Sequence, residues 1–110
     1  MSAELQVLRK RAEFLAANKG LRNARPGFVL LTIGNASQGK RFGVTVTKKI
    51  GNAVVRNRMK RRFRELARSV LPEAGIAGAD HVLIGRAGGI ERPYAELVAD
   101  LKRALAKVAR

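Results

Sequence analysis

Residues 40–68 read KRFGVTVTKKIGNAVVRNRMKRRFRELAR, and the spacing of their apolar side chains changes once along the way. Over residues 41–47 apolar and polar positions alternate, with Phe42, Val44 and Val46 on one side and Arg41, Thr45 and Thr47 on the other. That is the pattern of a strand with one buried face. A loop of Lys48, Lys49, Ile50 and Gly51 follows, then Asn52, a residue suited to cap a helix N-terminus. From Ala53 the period becomes helical. At 100° per residue, Val55, Met59, Phe63, Leu66 and Val70 fall within one arc of about 80°. Asn57, Arg61, Arg64 and Arg68 lie opposite, with Lys60 beside them, while Arg58 and Arg62 flank the apolar arc. Pro72 is expected to end this helix.

The same 29 residues hold eleven Lys/Arg and one acid, Glu65, within a chain whose formal net charge is +15. A helix shaped only for solubility mixes signs to gain pairs one turn apart. This one instead sets like charges at that spacing, as at Arg58–Arg62, Lys60–Arg64 and Arg64–Arg68. Each such pair costs roughly a few tenths of a kcal/mol, and a bound polyanion relieves it. Arginine dominates over lysine, and its planar fork suits bidentate contact with phosphate. Asn57 adds a neutral group able to meet a base edge or a ribose hydroxyl. Nucleic acid is therefore the expected partner, ahead of an anionic membrane surface.

Outward from this segment, residues 11–18 suggest a short helix closed by Gly20, and residues 22–26 a turn. Residues 27–34 (GFVLLTIG) are apolar on both alternating faces, as in a strand covered on both sides. Residues 34–40 (GNASQGK) have the composition of a hairpin loop. Residues 81–85 (HVLIG) read as a further strand, and Pro93 suits the start of a last helix carrying Tyr94, Leu97, Val98, Leu101, Leu105 and Val108. The order α-β-β-α-β-α, with room for an extra edge strand, predicts an α+β fold, an α/β sandwich. A length of 110 residues suits one domain over residues 1–110.

The remaining residues narrow the chemistry. There is no cysteine, and hydrophobic residues make up 46%, enough to build a core. No apolar run approaches the roughly 18 residues of a membrane span, and residues 1–14 lack the apolar centre of a signal peptide, so a cytoplasmic protein is expected. His81 is the single histidine and sits beside Asp80 in a strand, where a satisfied structural role is the expectation. Tyr94 reads as a packing residue. The eight carboxylates are scattered along the chain, with no arrangement that reads as a two-metal site. No catalytic constellation and no protein metal site are expected in this chain.

The ordered run from Arg41 to Arg68 closely resembles the signature of the protein subunit of bacterial ribonuclease P. In that family a strand ending in two lysines leads through Ile-Gly-Asn-Ala-Val into an Arg-Asn-Arg helix. The basic charge, the LRKRAEF segment and the amphipathic last helix agree, so the resemblance spans essentially the whole chain. It implies a single domain with a four-stranded sheet packed by helices, and a left-handed βαβ crossover carrying the arginine-rich helix, the reverse of the usual hand. It also implies that Lys48, Lys49, Asn52, Arg56, Asn57, Arg58, Lys60, Arg61, Arg62, Arg64 and Arg68 bind the catalytic RNA subunit. A cleft for the single-stranded 5′ leader of precursor tRNA would be lined by Arg11, Phe14, Phe28, Leu31 and Thr45.

Ordinary core packing is the competing reading of Phe14, Phe28 and Phe42, and the favoured one for Phe42. Family members often carry further aromatics in the cleft where this chain has Asn18 and Leu31, and stacking supplies about 1–3 kcal/mol per base. The resemblance further implies a monomeric protein whose RNA partner, with Mg²⁺, performs the phosphodiester hydrolysis. The rival readings are a structural RNA-binding protein of the ribosome and a self-sufficient nuclease. A helix-turn-helix DNA binder fits less well, because strands precede the basic helix.

Overall fold

The computed structural model describes residues 5–36 and 39–108. Among these, five strands and three helices follow in the order β1 (Gln6–Val7), α1 (Arg11–Ala17), β2 (Leu21–Ala24), β3 (Phe28–Gly34), β4 (Arg41–Thr45), α2 (Ala53–Ala74), β5 (Ala79–Gly85) and α3 (Tyr94–Val108). The strands form one mixed sheet in the order β1-β4-β5-β3-β2. Strands β4 and β5 are parallel neighbours joined through α2, a βαβ unit, while β3 runs antiparallel to both β5 and β2. No helix among the described residues is long and apolar enough to cross a membrane.

Alternation along β3 explains the two layers. Phe28 and Leu30 join Phe42 and Leu83 beneath α2 and α3, against Phe63, Leu66, Leu97 and Leu101. Val29 and Leu31 point the other way, joining Val82, Leu8 and Ala17 beneath α1. Phe42 is a core residue, as expected, and Phe28 meets Phe63 edge to face at a centroid distance of 6.0 Å. Burial on both faces is what an uninterrupted apolar strand requires.

Four expectations change. The sheet has five strands rather than four: Leu21–Ala24, read as part of a turn, pairs antiparallel with β3, Leu21 opposite Thr32 and Ala24 opposite Val29, and the two-residue β1 adds a parallel edge beside β4. The polar Arg22 and Asn23 suit an edge exposed to water, which hides the strand from an apolar pattern. Strands β3 and β4 are not paired as a hairpin, since β5 inserts between them, and residues 37–38 of the expected hairpin loop lie outside the described residues. Pro72 lies inside α2, which continues to Ala74. A proline this late removes one backbone hydrogen bond, that to the exposed Arg68, while Lys40 Nζ donates to the carbonyls of Leu71 (3.2 Å) and Pro72 (2.7 Å). Finally, Gly20 serves a close approach rather than a left-handed cap: a Cβ there would lie 2.0 Å from the Thr32 carbonyl oxygen.

Candidate nucleic-acid interface

Helix α2 begins as its sequence dictates. Asn52 Oδ1 accepts the Val55 N–H at 3.0 Å, satisfying one of the free donors of the first turn. Lys48 and Lys49 project from the short 3₁₀ turn just before it, both exposed. The helix buries Met59, Phe63, Leu66, Ala67, Val70 and Leu71. On the solvent side Asn57, Arg58, Arg61, Arg64 and Arg68 are exposed, and Arg56 and Lys60 are half-buried. Among the described residues the ion pairs involve Arg41, Arg92 and Arg103, so no cation of α2 is neutralised by a carboxylate. The positive face is therefore available as a unit.

This face is one wall of a groove of about 1060 Å³. Asn57, Lys60, Arg61, Arg64 and Arg68 line it from α2, together with Glu65 and Ser69, while Val7 and Arg9 line it from the β1 edge. Strand β1 is held there by Gln6 N–H to the Lys40 carbonyl (3.0 Å) and Leu8 N–H to the Phe42 carbonyl (2.7 Å). Arg9 was not legible as a groove residue, because a two-residue parallel edge strand has no periodicity to read. Its basic neighbours Lys10 and Arg11 are the one signal the sequence offered.

Arg62 departs from the set expected to face RNA. Its guanidinium turns inward and donates to the carbonyls of Gly89 (2.9 Å), Ile90 (2.6 Å) and Arg92. Arg92 in turn holds Asp100 of α3 at 2.6 Å. Arg62 thus fastens the loop before α3 beneath α2, as its place at the border of the apolar arc allows. Tyr94, expected to pack, is exposed, and its hydroxyl donates to Ser69 at 3.2 Å.

The opposite sheet face carries a second feature. Phe14 of α1 is half-buried over Gly43, where a Cβ would lie 2.5 Å from its ring. Next along the strands, Thr45 pairs with Ile84, Ile84 with Val29 and Val29 with Ala24, a row lying further along the sheet than Gly43 and Phe14. Thr45 and Ile84 are half-buried there, and Arg11 is exposed on α1. Leu31 lies on this face but is buried, and Asn18 is exposed at the end of α1. Phe28, assigned to this cleft, is instead fully buried on the other face beneath α2. Strand parity separates it from Val29 and Leu31.

Helix α1 is tied to the sheet by charge. Arg41 binds Asp80 through Nε (2.7 Å) and Nη2 (2.8 Å), and Glu13 through Nη1 (2.7 Å). The Glu13 carboxyl is held below its usual range, first by the Lys10 N–H, then by the Arg9 N–H and Arg41. His81 is buried in β5, where Nε2 accepts the Ile76 N–H (3.0 Å) and Nδ1 therefore donates to the Arg41 carbonyl (2.9 Å). Burial holds its pKa below the ordinary value. Both ring nitrogens are satisfied within the fold, as expected of a lone strand histidine. No group of three or more His, Asp or Glu side chains converges among the described residues.

The family model described as Ribonuclease P matches residues 3–109. The ribonuclease P protein component of Erythrobacter litoralis is 65% identical, covering 96% of this chain and 87% of the relative. That of Gluconacetobacter diazotrophicus is 53% identical, covering 97% and 94%. Among solved structures, the RNase P protein from Thermotoga maritima superposes with a TM-score of 0.79 at 30% identity, covering 93% of this chain and 96% of that one. The Staphylococcus aureus RNase P protein gives 0.74 at 31%, covering 94% of each. The chain, with its basic helix, its groove and its sheet order, belongs to the ribonuclease P protein component family.

Proposed function

We propose that this chain is the RNA-binding subunit of ribonuclease P, acting as a monomer in the cytoplasm and assisting removal of the 5′ leader from precursor tRNA. The observation that carries this reading is the groove in which Arg9, just after β1, and the cations of α2 face solvent with no ion pair among the described residues. Such an array neutralises phosphates that would otherwise repel when two RNAs meet, and each neutralised phosphate releases counterions. Lys48, Lys49, Asn52, Arg56, Asn57, Arg58, Lys60, Arg61, Arg64 and Arg68 serve the catalytic RNA in this reading, with Arg9 added and Arg62 removed. The left-handed sense of the β4–α2–β5 crossover belongs to the same family reading.

The leader lies along the α1 face, between Phe14 and the Thr45–Ile84–Val29 row. The phosphodiester hydrolysis, which leaves a 5′-phosphate on the tRNA, is assigned to the RNA subunit and its Mg²⁺. This chain contributes affinity for substrate and, by holding the two RNAs together, for the metal they bind. The test is cleavage of a precursor tRNA at low Mg²⁺ by the RNA subunit with and without the protein. A large gain on adding protein is expected, with no cleavage by the protein alone; no gain would refute the assignment.

A further inference from the structure

Helix α1 is seven residues long, and a helix that short is not stable by itself in water. Its place over the sheet must come from tertiary contacts. Apolar contact is modest: Ala17 is buried and Phe14 half-buried, while Leu15 is exposed. The polar contact is specific. One guanidinium spans two elements, gripping the buried Asp80 of β5 with two nitrogens and Glu13 of α1 with the third. Asn35 Nδ2 adds a bond to Asp80 Oδ1 at 2.9 Å, fixing the anchor end. The planar fork of arginine can serve both carboxylates at once, whereas a lysine ammonium is a point charge and loses the paired geometry.

Glu13 precedes Phe14, and Arg41 lies two residues from Gly43 on the same strand face. The relay and the aromatic contact therefore set the same quantity, the height of the Phe14 ring above the sheet. We propose that Arg41 is a positioning residue for single-stranded RNA: by joining Asp80 to Glu13 it holds α1, and with it Phe14, at the level that grips a leader nucleotide. Gly43 completes the device, since any side chain there would push the ring away. This rests on the α1 face being the leader site. The sequence places Arg41 on the polar face of its strand and gives it no role of its own.

The experiment uses the reconstituted ribonucleoprotein with Glu13→Gln and Arg41→Lys. Glutamine at that position keeps the acceptor that caps the α1 backbone while dropping the charge. Lysine keeps a cation beside Asp80, so both variants retain the fold, which thermal melting checks. Affinity is measured for a precursor with a leader of several nucleotides and for mature tRNA, alongside protein affinity for the catalytic RNA. Each variant is expected to weaken leader-bearing substrate by about three- to tenfold, on the scale of one coupled contact, and to leave the other two affinities unchanged. On a Phe14→Ala background neither is expected to add a further loss, because all act through one ring.

Equal losses for precursor and mature tRNA, or additive losses with Phe14→Ala, would show that the relay serves only stability and would overturn the proposal. If Phe14→Ala is leader-selective while both relay variants match the wild type, the relay alone falls. If Phe14→Ala has no leader-selective effect, the leader site on this face falls and the positioning role with it.

Discussion

Arg62 donates to the Ile90 carbonyl at 2.6 Å, from within a helix whose neighbouring cations face solvent. Two further carbonyls, of Gly89 and Arg92, share the same guanidinium. Replacing Arg62 by Ala leaves three carbonyls of the loop before α3 without their charged donor. A loss of about 2–4 kcal/mol in unfolding free energy is expected, since bonds to a charged donor each count for more than neutral ones. Denaturant titration measures it. The salt dependence of RNA binding should keep its slope, because this guanidinium is engaged by the loop carbonyls.

Arg58 and Arg61 predict the opposite pattern. Both are exposed, and neither forms an ion pair among the described residues. Changing either to Ala should leave the melting temperature nearly unaltered, weaken binding to the catalytic RNA, and reduce the slope of log affinity against log salt by about one unit. Arg9→Ala should act in the same direction if β1 contributes to the groove. A binding isotherm series across salt concentrations decides each case, and an unchanged slope for all three would place the RNA elsewhere.

Asn52 has two possible uses, and its geometry favours the local one. Its side-chain oxygen is spent on the Val55 N–H. Asn52→Ala should therefore cost about 1 kcal/mol of stability, whereas Asn52→Asp should hold the cap while placing a negative charge at the mouth of the basic surface. Retained stability with weakened RNA binding in the aspartate variant is the expected pair of results, read by melting and by filter binding.

What the sequence showed and hid follows from the range of the forces involved. The helical arc of Met59, Phe63, Leu66 and Val70, the Asn52 cap and the two-sided β3 are local patterns, and all are present in the structure, with Val55 at the start of the arc only half-buried. Strand β2 was hidden because an edge strand needs no apolar alternation, and β1 because two residues carry no period. The insertion of β5 between β3 and β4 is a long-range pairing that no spacing within residues 34–40 could reveal. The partners of Arg41 lie 28 and 39 residues away, so the relay had no sequence signature. Phe28 was misplaced for a simpler reason: adjacent strand residues face opposite ways, and Val29 rather than Phe28 faces α1.

His81 links the fold to pH. Its ring is buried, and loss of hydration is the main cause that lowers its pKa below the ordinary 6.5; Lys40 acts in the same direction, while the Arg41 carbonyl and Asp80 oppose it. A lowered value in the fold means that the unfolded chain binds the proton more readily between the two pKa values. Stability from this residue is therefore complete above about pH 6.5 and is lost as pH falls from there through the folded value. Protonation would also place a donor against the Ile76 N–H, which needs an acceptor. As the single histidine, it is the one side chain whose ordinary pKa lies between pH 5 and 7. Denaturant midpoints measured from pH 8 to pH 5 should stay level to about pH 6.5 and then decline. In His81→Gln, whose amide can still accept from Ile76 and donate to Arg41, the midpoint should start lower and lose that decline. A variant with an undiminished slope between pH 6.5 and pH 5 would assign the proton to another group.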